Sequence, residues 1–191
     1  MKNLYNESNE KTGVCISMEV KERIYQMQPQ MREALMELVK FPSVQGDAQP
    51  GAPFGVANAQ CLEKALEISK GLGLKTYNMD GYVGWAEYGE GEEMVAVLAH
   101  LDVVPEGEGW TVCNPYDPKI IDGKMYGRGT MDDKGPAISV LFGLKALMDE
   151  GFIPKRRIRI MFGCNEETGS KDMKYYLEKG GEIPVAGFTP D

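Results

Sequence analysis

A chain of 191 residues with 21 Lys and Arg against 29 Asp and Glu carries a formal charge of -8, which argues against nucleic acid or an anionic membrane surface as partner. The length suffices for one good core, and acidity, which equally serves solubility, names no activity by itself. Cys15, Cys61, Cys113 and Cys164 are widely spread without a Cys-x-x-Cys pair. That excludes a zinc knuckle or a thioredoxin-type motif, and the four read as reduced thiols of a cytoplasmic protein. No run approaches the roughly 18 apolar residues of a membrane span, and the first thirty residues hold no apolar signal core.

Met1 to Ser17 are polar and without period, so they are expected either to be disordered or to precede a true start at Met18. From about Glu19 to Lys40, Met31, Leu35, Leu38 and Val39 follow helical spacing until Phe41-Pro42 stops them. Ser43 to Gly55 is a loop rich in Gly and Pro, and Val56 to Gly71 is a second helix. Strands follow at Leu74 to Met79, Tyr82 to Tyr88 and Met94 to His100. Met94 to Ala99 is apolar at every position, as in a strand covered on both faces. Pro136 is expected to open a helix to about Glu150, Arg157 to Cys164 reads as a strand, and Lys171 to Lys179 as a last helix. The basic run Lys155-Arg156-Arg157 reads as strand-entry solvation rather than an anion site. This interleaving predicts an α/β fold, a mixed sheet sandwiched between helices.

Three places carry chemistry. His100 is the one histidine of the chain and ends a buried apolar strand, where ligands gather in open α/β sheets. Asp102, two residues on, can accept the second ring N–H of a metal-bound imidazole. Asp132-Asp133 lies in a loop whose Gly127, Gly129 and Gly135 allow conformations denied to bulkier residues, just before a helix. Glu166-Glu167 follows the exit of another strand, and adjacent carboxylates can divide the work of metal ligand and base. Taken singly, each has a plainer reading: a surface histidine, a solvated turn, an exposed acidic loop.

Four ordered strings carry a resemblance. They are His100-Leu-Asp-Val-Val-Pro-Glu-Gly-Glu-Gly-Trp110, Tyr126-Gly-Arg-Gly-Thr-Met-Asp-Asp-Lys-Gly-Pro136, Asn165-Glu-Glu-Thr-Gly169 and Gly187-Phe-Thr-Pro-Asp191. From about Met31 onward the chain resembles the PepV-type dipeptidases. Their metallopeptidase superfamily also holds carnosinase, carboxypeptidase G, aminoacylase and succinyl-diaminopimelate desuccinylase. The resemblance implies two divalent cations, zinc first, with manganese or cobalt as alternatives. It makes His100 and Asp191 ligands of one cation, Glu167 a ligand of the other and Asp132 the bridge. Asp102 would orient His100, and Glu166 would be the general base that later protonates the leaving amine. It also implies a cis peptide between Asp132 and Asp133.

The implied substrates are dipeptides or, alternatively, small N-acyl or N-carbamoyl amino acids, cleaved in the cytoplasm with no nucleic acid or membrane involved. A distal histidine ligand, the lid domain and later parts of the catalytic domain have no counterpart here. Residues 18–191 are therefore expected to be the N-terminal part of that domain, inactive or nearly so alone. Self-association through an exposed sheet edge is a further expectation, and a non-catalytic metal-binding fragment is the reading from another class.

Overall fold

The computed structural model describes residues 18–191; the expectations for Met1 to Ser17 lie outside them. The chain forms α1 (Met18–Val39), α2 (Val56–Gly71), β1 (Lys75–Met79), β2 (Val83–Tyr88), β3 (Met94–His100), β4 (Lys119–Ile121), β5 (Lys124–Tyr126), α3 (Lys134–Asp149), β6 (Arg157–Gly163), α4 (Lys171–Glu178) and β7 (Ala186–Phe188). Five strands form one sheet in the order β1-β2-β6-β3-β7. β2 pairs antiparallel with β1 and with β6, whereas β6, β3 and β7 run parallel. The expected mixed sheet between helices is what forms.

One face of the sheet meets α1, α2 and α3 through a core that includes Leu38, Cys61, Leu62, Leu141, Phe142, Ile160 and Phe162. The other face carries a smaller cluster of Val83, Met94, Ala96, Met161 and Tyr176, the last from α4. β6 is therefore buried on both faces from Arg159 onward, and β3 is buried or half-buried throughout. Each fully buried Leu, Ile or Phe contributes about 1.5–3 kcal/mol, so the central parallel pair is the most firmly held part of the fold. At the edge, β7 is exposed at all three residues.

Three local findings depart from the sequence reading. The β4–β5 hairpin was not anticipated, although Asp122-Gly123, both at positive φ, is a strong two-residue hairpin turn between apolar runs. α3 begins two residues before Pro136, because the Asp133 carbonyl already accepts the Ala137 amide. Pro136 sits in the first turn, where amides have no helical partner to lose. Arg157 is not a solvated entry residue: its guanidinium pairs with Glu87 and Glu182. The neighbouring buried Arg159 pairs with the same two acids and lies over the Trp85 ring. Glu87 and Glu182 lie far from Arg157 in sequence, so local charge could not reveal the network. Among the described residues, Cys61, Cys113 and Cys164 are buried free thiols, and the expectation for Cys15 lies outside them.

Candidate metal centre

Because β3 and β6 are parallel and in register, His100 opposite Gly163, both strands deliver their following residues to the same end of the sheet. β7 lies parallel on the other side of β3 and brings Asp191 to that end as well. The loop before α3 supplies Asp132. Gly135 lets this loop close tightly, since a Cβ there would fall 2.0 Å from the Thr130 carbonyl oxygen. Lys134, fully buried, donates from Nζ to the carbonyls of Leu38 at 3.0 Å and Phe41 at 2.9 Å. Burial pulls its ammonium below the usual lysine range.

His100 is 4% exposed. Its backbone amide donates to Asp133 Oδ2 at 3.0 Å. Its Nδ1 lies 3.0 Å from the Asp102 carbonyl oxygen. A carbonyl only accepts, so Nδ1 carries a proton in either charge state, and it is Nε2 that offers its lone pair to a cation once its own proton is lost. Nε2 is buried without a hydrogen-bond partner among the described residues, yet Asp132 Oδ1 lies 3.0 Å from it, Glu166 Oε2 3.9 Å and Asp191 Oδ2 4.0 Å. One ligand atom each from His100, Asp132 and Asp191 lie within 4.8 Å of one another. Such a cluster of lone pairs calls for positive charge at its centre. An imidazole and two carboxylates suit zinc, manganese or cobalt, so the residues present fit the implied cation.

Without a cation the surrounding acids favour a protonated ring, so a metal ion would have to displace the Nε2 proton. Burial pulls the His100 imidazole down, but hydrogen bonding and charge from Asp102 outweigh it and raise it to about 9. Burial pushes the Asp133 carboxyl up to about 6, against the lowering effect of the His100 amide and charge, with Asp191 and Asp132 adding to the rise. Glu167, half-buried, is raised by burial and then by Asp132. It feels Asp132 but stands outside the His100 trio, so the expected second-cation ligand is close to the bridge residue without being clustered with His100.

Asp102 differs in detail from expectation. Its carboxylate is 3.5 Å from Nδ1, while its carbonyl makes the ring contact. The two carboxylate oxygens instead accept the amides of Glu166 and Glu167, each at 3.1 Å. One residue thus ties the imidazole to the glutamate turn. The Asp132–Asp133 peptide is cis, as expected. Trp110 packs against Arg128, and its Nε1 donates to the Glu106 carbonyl at 2.8 Å. Asp133 and Asn165 were missed as supporting residues. Only the adjacency of Asp133 to Asp132 and of Asn165 to Glu166 could have drawn attention to them.

Residues 96–189 match the model of Peptidase family M20/M25/M40. The chain is 38% identical over 157 residues to "Putative dipeptidase YtjP" of Bacillus subtilis, covering 81% of this chain and 34% of that protein. It is 36% identical over 173 residues to a "Putative dipeptidase" of Staphylococcus epidermidis, covering 90% and 36%. The chain thus spans about a third of the length of these curated relatives. Human carnosine dipeptidase 1 superposes with a TM-score of 0.73 at 24% identity, covering 90% of this chain and 40% of that one. An M20 family metallo-carboxypeptidase, Sso-CP2 from Sulfolobus solfataricus, gives 0.71 at 22%, covering 84% and 37%. At those identities the two structures speak to the fold alone. The match to peptidase family M20/M25/M40 takes in His100, Asp132, Glu166 and Glu167 and stops short of Asp191.

Proposed function

We propose that this chain carries the metal-holding part of a dipeptidase active site, with His100, Asp132 and Asp191 around one cation and Asp132 with Glu167 around a second. The observation that carries the reading is the buried, unpartnered His100 Nε2 facing the Asp132 and Asp191 carboxylates. When bound, divalent cations supply Lewis acidity that polarises a scissile carbonyl and lowers the pKa of a nearby water.

The chain's own residues do the rest. Glu166 is half exposed, with Oε2 3.9 Å from His100 Nε2, so it can take a proton from the attacking water and return it to the departing amine. Asp102 holds the imidazole by its carbonyl and the glutamate turn by its carboxylate. A cleft of about 230 Å³ bordered by His100, Glu166 and Asp191 opens beside these groups. Its size suits part of a small substrate rather than a folded protein. Since His100 is the one histidine, the second cation would be held by carboxylates alone, and turnover by this chain is expected to be slight.

The test is zinc titration of the metal-stripped chain by calorimetry, followed by hydrolysis of dipeptides beside N-acetyl and N-carbamoyl amino acids. Zinc binding lost in His100→Ala, with any turnover confined to dipeptides and lost in Glu166→Ala, is the expected result. Zinc binding indifferent to His100, or hydrolysis that survives Glu166→Ala, would overturn the reading. Preference for the acyl substrates would move it to an amidohydrolase.

A further inference from the structure

The turn that carries Glu166 and Glu167 is held by a device that extends beyond the residues assigned so far. Four successive backbone amides lead out of β6 into this turn, and all four donate to buried carboxylates. Asp172 Oδ2 accepts from Cys164 N at 2.7 Å and from Asn165 N at 3.0 Å. Asp102 Oδ1 and Oδ2 accept from Glu166 N and Glu167 N at 3.1 Å each. Both acids are 1% exposed. Hydrogen bonds to an ionised carboxylate are about twice as strong as neutral ones, and an acceptor removed here would leave buried amides unpaired.

Asp172 lies in the first turn of α4, where an acid ordinarily serves its own helix. One oxygen does so, Oδ1 accepting from Met173 N at 2.7 Å. The other reaches back to the strand exit. The backbone is shaped to admit it: a Cβ on Gly163 would fall 2.6 Å from Asp172 Oδ2. Asn165 closes the circuit, its carbonyl accepting from Ser170 N at 2.7 Å and its Oδ1 from Lys171 N at 3.1 Å. Asp172 also borders the cleft shared by His100, Glu166 and Asp191.

We infer that Asp172 is a positioning residue for Glu166 and Glu167: with Asp102 it fixes the backbone from Cys164 to Glu167, so that one glutamate reaches the cation and the other the cleft. The inference rests on the metal-centre reading for its functional half. Its structural half stands on the four amide bonds. Asp172 does not touch substrate. It acts through the path of the chain.

Two readouts on the purified chain test it: amide hydrogen exchange resolved at residues 164–167, and calorimetric titration with zinc. In Asp172→Ala, exchange at Cys164 to Glu167 is expected to rise at least about tenfold while Val95 to Ala99 in β3 keep their protection. Zinc affinity is expected to fall about tenfold, the usual range for losing a supporting hydrogen bond near a metal. Asp172→Asn, which keeps an oxygen acceptor, should restore most of both. Gly163→Ala, which displaces the carboxylate without removing it, should reproduce the Asp172→Ala pattern. Unchanged exchange at 164–167, or faster exchange with zinc affinity intact, would overturn the inference. Protection lost equally in β3 would do so too, by reducing Asp172 to general stability. Zinc binding indifferent to His100→Ala would instead sink the metal-centre reading, and the exchange data would still decide the clamp.

Discussion

The two carboxylates that cluster with His100 as candidate ligands come from unlike parts of the molecule. Asp132 is in a loop closed by Gly135 and anchored by the neighbouring buried Asp133 and Lys134. Asp191 follows β7, a three-residue edge strand exposed along its whole length, and is itself 46% exposed. The imidazole they share sits at the end of a strand hydrogen-bonded on both sides. The proposed site would thus draw one ligand from the rigid centre of a sheet and another from its lightly held margin. On that reading the centre would set where the cation goes, and the margin would adjust how tightly it stays.

That contrast can be broken at its centre first. His100→Ala is expected to reduce zinc affinity more than about a hundredfold, since it removes the one nitrogen ligand and leaves only carboxylates; the calorimetric titration reads this directly. Comparable binding by the variant would mean that the acidic groups alone hold the ion. Asp133→Ala should act on the frame and not on the ligand set. It leaves the His100 amide without its acceptor, costing about 1–3 kcal/mol, which thermal unfolding of the metal-free chain would register.

At the margin the effect should be smaller. Asp191→Asn is expected to weaken zinc by about tenfold or less, with no change in melting temperature, because its backbone is exposed and contributes little to the core. A loss as large as that of His100→Ala would erase the distinction between centre and edge.

Protonation sharpens the same comparison most gently. The folded pKa of His100 in the metal-free chain is raised from 6.5 to about 9. Its contribution to stability is fully present below pH 6.5 and is lost as pH rises through about 9. Its single imidazole should titrate near 9 by NMR, and zinc affinity should climb over the same interval as the proton stops competing. A titration near 6.5 would mean that Asp102 does not govern the ring.

Much of this was readable along the chain. The helices and the long strands follow apolar period, and His100, Asp132, Glu166 and Glu167 stand in ordered strings at strand and loop ends. What escaped was whatever depends on partners distant in sequence. Arg157 looked solvated until Glu87 and Glu182 arrived from other elements. That the Asp102 carboxylate, besides lying 3.5 Å from the imidazole, accepts two amides escaped, because nothing in His100-Leu-Asp102 discloses that the exit of β6 brings them beside it. Asp172 resembled any acid opening a helix. The β4–β5 hairpin is the exception, since Asp122-Gly123 was a local signal that went unused.

Lys134 gives the site a link to the N-terminal helix. Its ammonium is buried, and it donates to the carbonyls of Leu38, in the last turn of α1, and Phe41, just beyond it. A helix end carries partial negative charge and unpaired carbonyls, so the cation and the helix terminus satisfy each other. If α1 frayed at that end, the charge would be stranded in the core. If the loop opened, the two carbonyls would lose their charged donor and keep the amides of Phe41 and Ser43. The two segments should therefore open together, as one cooperative unit, and a lesion far from the cleft in the last turn of α1 would be felt at Asp132.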